Sequence, residues 1–127
     1  TAQEITFNYA TDMGSSTPRT NTLYKENIVK AWVSFDGTLP AAGMIGDAFN
    51  VSSITDNGAG NYTINWANAF ATGNYAVTGM ANNNAFHIII GHTTIPTVNS
   101  VNIVNNRESD GVAGDATVID VIAIGDQ

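Results

Sequence analysis

Side chains branched at Cβ set the strongest limit on what this chain can fold into. Its 127 residues hold 13 Ile and 10 Val against only 2 Leu, and 15 Thr add to the same bias. Branching at Cβ restricts rotamers against the preceding turn of a helix but suits the pleated surface of a sheet. The 16 Asn and 12 Gly supply residues that tolerate tight turns. The balance predicts an all-β fold. At this length one core is all that can be enclosed, so residues 1–127 are read as a single domain.

Alternation places the strands. Over residues 28–35, Val29, Ala31, Val33 and Phe35 point one way while Lys30, Trp32 and Ser34 point the other. Residues 49–55 and 62–67 form a hairpin, because Asp56-Asn57-Gly58-Ala59-Gly60 between them can adopt the positive φ a short loop needs. On its second strand Tyr62, Ile64 and Trp66 share a face. Further strands are expected at residues 75–80, 86–93 and 98–104, with turns at Asn82-Asn83-Asn84 and residues 105–111. Residues 117–124 make the last strand, apolar on both sides apart from Asp120, as in a strand at a sheet's centre or against another chain. Residues 4–9 make one more candidate strand, residues 1–22 read as an irregular lead-in, and residues 41–46 read as loop, with no convincing helix anywhere. Seven or eight short strands with turns between them predict an antiparallel β-sandwich or a short jelly-roll-like barrel.

Charge and composition exclude whole classes of function. Four basic residues against 11 acidic ones give a formal charge of −7, the wrong sign for neutralising phosphates, so no nucleic-acid partner is expected. Ile88-Ile89-Ile90 and Val121-Ile122-Ala123-Ile124 are far shorter than the ~20 apolar residues of a membrane-crossing helix, so no membrane insertion is expected. With no cysteine, thiolate metal sites and cysteine nucleophiles are ruled out. Thr1 is no initiator Met and no basic-then-apolar leader follows, which reads as a piece of a longer polypeptide.

Catalytic patterns are equally thin. His87 and His92 are five residues apart and fall on opposite faces of one strand, so they cannot jointly hold a metal. Neither sits beside a nucleophile motif. Asp36, Asp47, Asp56, Asp110 and Asp115 lie in turn-rich sequence, where carboxylates accept backbone hydrogen bonds. Residues 108–111 lack the spaced acids of a calcium loop. Asp120 is the exception, an acid in an apolar strand that, if buried, needs a partner such as Arg107 or Lys30. No enzyme, cofactor or metal is expected. The remaining chemistry is hydrogen bonding by neutral loop tips, Asn82, Asn83, Asn84, Asn105, Asn106 and Arg107, toward sugar hydroxyls, with Trp32 or Tyr24 for stacking.

The stretch 23–37, ending Lys30-Ala31-Trp32-Val33-Ser34-Phe35-Asp36-Gly37, resembles a domain that recurs in tail-fibre and other structural proteins of tailed bacteriophages, marine phages included. Residues 47–66 strengthen the likeness: they look like that family's phenylalanine-led strand, its Asp56-Asn57-Gly58 hairpin and its aromatic-ended return strand. The likeness spans residues 23–79, departing from the family at Gly46, where a basic residue is common, and in a longer insert at 39–44. It implies a non-enzymatic virion structural component, often a homotrimer, and it assigns no catalytic or receptor-contact residues.

The resemblance implies a distal tail-fibre-type domain on the virion surface, expected to act in host recognition and adsorption through many weak contacts, and the residue pattern agrees with it. Its expected partners are its own copies in a homotrimer, other virion proteins, and a glycan or protein of the bacterial surface. The self-association face is expected on the last strand at Val118, Asp120, Ile122 and Ile124. The rival readings are a capsid decoration or head-fibre protein and a carbohydrate-active tailspike domain.

Overall fold

Strand formation follows the alternation, except that a bulge between Val29 and Ala31 turns Val29, expected on the side of Ala31, Val33 and Phe35, outward. The structure, a computed structural model, describes residues 28–82, 86–91, 93–107 and 109–127. They form eight strands: β1 Val29–Phe35, β2 Ile45–Phe49, β3 Val51–Asp56, β4 Asn61–Trp66, β5 Ala76–Asn82, β6 Phe86–Gly91, β7 Ser100–Arg107 and β8 Val118–Ile124. Residues 41–46, expected as loop, hold a single 3₁₀ turn at Ala41–Gly43 and then start β2. The expected lead-in at 1–22, the candidate strand at 4–9 and Tyr24 lie outside the described residues.

The strands run in one hydrogen-bonded order, β2-β1-β8-β5-β6-β7-β4-β3, and every neighbouring pair is antiparallel. At the middle of this order the ladder is thin, since β5 and β6 share only Ala81↔His87 and Asn82↔Phe86. There the two four-stranded halves fold against each other as a β-sandwich. Phe35 of β1 meets Tyr62 of β4 edge-on, ring centroids 5.1 Å apart, although the two strands are far apart in the order. The shared core draws Ala31, Val33, Ile119, Val121 and Ala123 from one half and Ile54, Ile64, Trp66, Val101 and Ile103 from the other. Each half thus buries alternate residues, the period-2 signature of a sheet with one face inside.

Two boundaries differ from the sequence reading. Phe49 ends β2, paired with Trp32, and does not open the hairpin strand. Between them Asn50 turns the chain with φ 56°, a left-handed conformation that Asn tolerates better than most residues. Likewise β7 continues through Asn105, Asn106 and Arg107, where a turn was expected. The hairpin loop itself closes as read, with Gly58 and Gly60 at positive φ. Gly60 has a second constraint: a Cβ there would lie 2.4 Å from the Asn105 carbonyl oxygen.

Candidate functional site

The half β2-β1-β8-β5 turns an apolar face outward. Cross-strand register aligns Phe49, Trp32, Ile122 and Thr78 in one row, and Asp47, Ser34, Asp120 and Met80 in the next. Val29, Ile124 and Ala76 form a third row, and Val118 pairs with Asn82 in a fourth. Met80 is 77% exposed and Phe49 55%, and Trp32, Ile122, Val118 and Val29 are also exposed. The four residues singled out on the last strand therefore share this outer face, while Ile119, Val121 and Ala123 of the same strand face the core. β8 is a central strand, flanked by β1 and β5, so its double-sided apolar pattern follows from the core on one face and this patch on the other.

Asp120 is corrected by the structure. It is exposed, so no buried counter-ion is required, and Arg107 pairs with Asp110 at 2.8 Å.

In the other half β3, β4 and β7 present rows of uncharged polar residues. Ser53, Asn65 and Ser100 form one row, and Thr55, Thr63 and Asn102 the next. These groups bond to one another. Asn65 Nδ2 donates to Ser53 Oγ at 3.1 Å and to Thr55 Oγ1 at 3.2 Å, and Asn57 Nδ2 donates to Thr63 Oγ1 at 2.9 Å. Asn102 Nδ2 donates to Asn61 Oδ1 at 2.7 Å, while its Oδ1 accepts from Thr93 Oγ1 at 2.6 Å.

The loop-tip set does not gather as expected. Asn82 is the exposed last residue of β5, and Asn83 and Asn84 lie outside the described residues. Asn105 is fully buried within β7, its Nδ2 donating to the Gly114 carbonyl at 2.7 Å, so it is no loop tip and cannot reach a ligand. Asn106 is half-buried and donates to Gly111 O at 2.7 Å. Arg107 is exposed but held by Asp110.

What the sequence reading missed is a clamp across the end of the sandwich. Asp115 Oδ1 accepts from Gly60 N at 2.8 Å and from the Tyr62 hydroxyl at 2.7 Å, and Asn105 N donates to Gly60 O at 2.8 Å. Burial, reinforced by the bond to Asp115 and its charge, pushes the Tyr62 phenol well above the ordinary tyrosine range. Desolvation also raises Tyr75, which receives a bond from Trp66 Nε1 and donates to Ser100 O at 2.8 Å.

Three further carboxylates serve their own turns. Asp36 accepts from Thr38 N, Asp56 from Gly58 N and Asp110 from Val112 N, each at 2.9–3.0 Å. Among the described residues no three His, Asp or Glu side chains converge to hold a metal. His92 lies outside those residues. No family model, curated protein or solved structure matches the chain.

Proposed function

We propose that the chain is a non-enzymatic structural module of a tailed-phage virion, of the tail-fibre type, that works as a self-associated assembly on the virion surface. The virion assignment comes from the resemblance of residues 23–79, and one observation carries the self-association: the outward apolar rows of β2-β1-β8-β5. The exposed parts of Phe49, Trp32, Ile122, Met80 and Val118 amount to on the order of 500 Å² of largely apolar residue surface. That is the upper end for a single soluble chain and over half of what one partner contributes to a stable interface. The acids Asp47 and Asp120 share one row of this face, and Lys30 stands at the start of the same sheet's β1 strand, so a second copy brings both charge signs to the contact.

Association presents every exposed loop several times over, which turns weak contacts with a host surface into firm attachment. The neutral Asn, Ser and Thr surface of the other half suits that role, being soluble without strong charge.

The test is solution mass by light scattering over a dilution series, paired with antibody labelling of virions. A mass near three times 13.3 kDa and label on the tail support the reading. A monomer at every dilution overturns the self-association, and label confined to the capsid overturns the tail-fibre assignment.

A further inference from the structure

The sequence holds a single Asn-Gly step, Asn57-Gly58, in the loop between β3 and β4. Asn followed by Gly is the pair most prone to losing its side-chain amide, because the second residue has no Cβ to hinder ring closure. The Gly58 nitrogen, once it gives up its proton, attacks Asn57 Cγ and closes a five-membered imide. The Cγ–Nδ2 bond breaks, and ammonia leaves with a proton in place of the one Gly58 lost. Water then opens the imide at either carbonyl, leaving aspartate or isoaspartate, so that one water is consumed for each ammonia released.

Both residues are exposed, and a Cβ at Gly58 would meet nothing within 4 Å, so neither burial nor crowding shields the step. Hydrogen bonds hold it instead. Gly58 N donates to Asp56 Oδ1 at 2.9 Å, so the proton that must be lost is engaged by a carboxylate. A carboxylate is far too weak a base to take it, and its negative charge opposes the anion that would form. Asn57 Nδ2 donates across the hairpin to Thr63 Oγ1 at 2.9 Å, which ties the amide to β4. Asn57 N donates to Asn61 O and Asn61 N to Gly58 O, both at 2.9 Å, and these fix the backbone between the reacting groups. Ring closure must turn the Asn57 side chain and the Gly58 peptide toward each other, and it breaks these bonds to do so.

We propose that Asn57 is a deamidation site that the folded hairpin keeps closed, so that it reacts only in chains whose loop has opened. The inference stands independently of the self-association reading. Conversion then hinders reclosure, because the product lacks the donor to Thr63 and sets a second carboxylate beside Asp56. Asn57 thereby records how long the hairpin has been open.

The test follows the full chain at neutral pH over several weeks, folded in buffer or denatured in guanidinium chloride. Mass spectrometry of peptides spanning residue 57 reads the amide-to-acid mass increase. The folded parent is expected to convert about tenfold or more slowly than the denatured one. Asp56→Ala frees the Gly58 N–H, and Thr63→Val frees the Asn57 amide while keeping a β-branched residue on the strand. With circular dichroism and melting temperature verifying the fold, each variant is expected to convert at least about threefold faster than the folded parent. A folded parent that converts as fast as the denatured chain overturns the proposal, whether or not the variants fold. A folded variant that converts no faster than the parent overturns it too, since the bond removed then protects nothing.

Discussion

The two outer faces of the sandwich differ more than the two inner ones. Inside, both halves contribute the same kind of layer, Ala31, Val33, Ile119 and Val121 against Ile54, Ile64, Val101 and Ile103. Outside, one half shows Phe49, Trp32, Ile122 and Met80, and the other shows Ser53, Thr55, Thr63 and Asn65. The polar face makes many hydrogen bonds within itself, Asn65 to Ser53 and Thr55 and Asn102 to Asn61 among them. The apolar face has nothing comparable in the described chain. On the proposed reading one face meets solvent and the other meets a second copy, and that assignment can be broken experimentally one layer at a time.

The largest effect is expected in the layer both faces share. Ile64 is completely buried, so Ile64→Ala removes its contacts and leaves a cavity, at a cost of about 2–5 kcal/mol. Denaturant unfolding measures this directly. A loss below about 1 kcal/mol would mean that the two halves do not close on one core.

Next comes the apolar face. Ile122→Asp puts a charge in its central row while leaving the fold intact, because Ile122 points outward from β8. The expected result is a drop in solution mass toward 13.3 kDa, with association weakened about 30-fold or more, as for a central interface residue. An unchanged mass would mean that this face is not the one covered.

How much of the contrast was legible beforehand depends on distance along the chain. Alternation put Val29, Ala31, Val33 and Phe35 on one face and Tyr62, Ile64 and Trp66 on another, and all but Val29 are buried, because period-2 patterning is local and a bulge between Val29 and Ala31 interrupts it. The same logic marked β8 as apolar on both faces. The remainder of the apolar rows was hidden: Phe49, Trp32 and Met80 join Ile122 and Asp120 only through the order β2-β1-β8-β5, which brings distant segments side by side. Asn105 misled for the same reason. Its residue type suggests a turn, but its partners Gly60 and Gly114 are supplied by other parts of the chain. The left-handed Asn50 between two alternating runs made them look like one.

Two tyrosines that bond between the halves, Tyr62 to Gly37 O and Tyr75 to Ser100 O, make stability depend on pH. Tyr62 and Tyr75 are both held above the ordinary tyrosine value of about 10. The unfolded chain ionises its tyrosines near that pH while the folded chain keeps these two neutral. Their contribution to stability is therefore complete below about pH 10 and falls as pH rises beyond it. Tyr62→Phe is expected to cost about 1–2 kcal/mol near neutrality, since Asp115 loses a donor, and to flatten the alkaline decline. Thermal unfolding at a series of pH values from 7 to 11 measures both, and a parent-like slope in the variant would shift the pH effect to other groups.

The smallest effect belongs to the polar face, and its smallness sharpens the comparison. Asn65 bonds Ser53 and Thr55 across the strand pair; it is half-buried, but both partners are exposed, and water replaces those bonds at little cost. Asn65→Ala is expected to change stability by less than about 0.5 kcal/mol, as surface substitutions usually do, and to leave the solution mass where the parent has it. The pairing with Ile122→Asp matters more than either result alone. Both residues sit on the outward side of a sheet, on β4 and β8, both next to strands of like length, and they differ chiefly in whether water or protein suits them. If Asn65→Ala lowered the mass as Ile122→Asp is expected to, the polar face would be part of the contact, and the division of labour between the two faces would have to be redrawn with β3 and β4 inside the assembly.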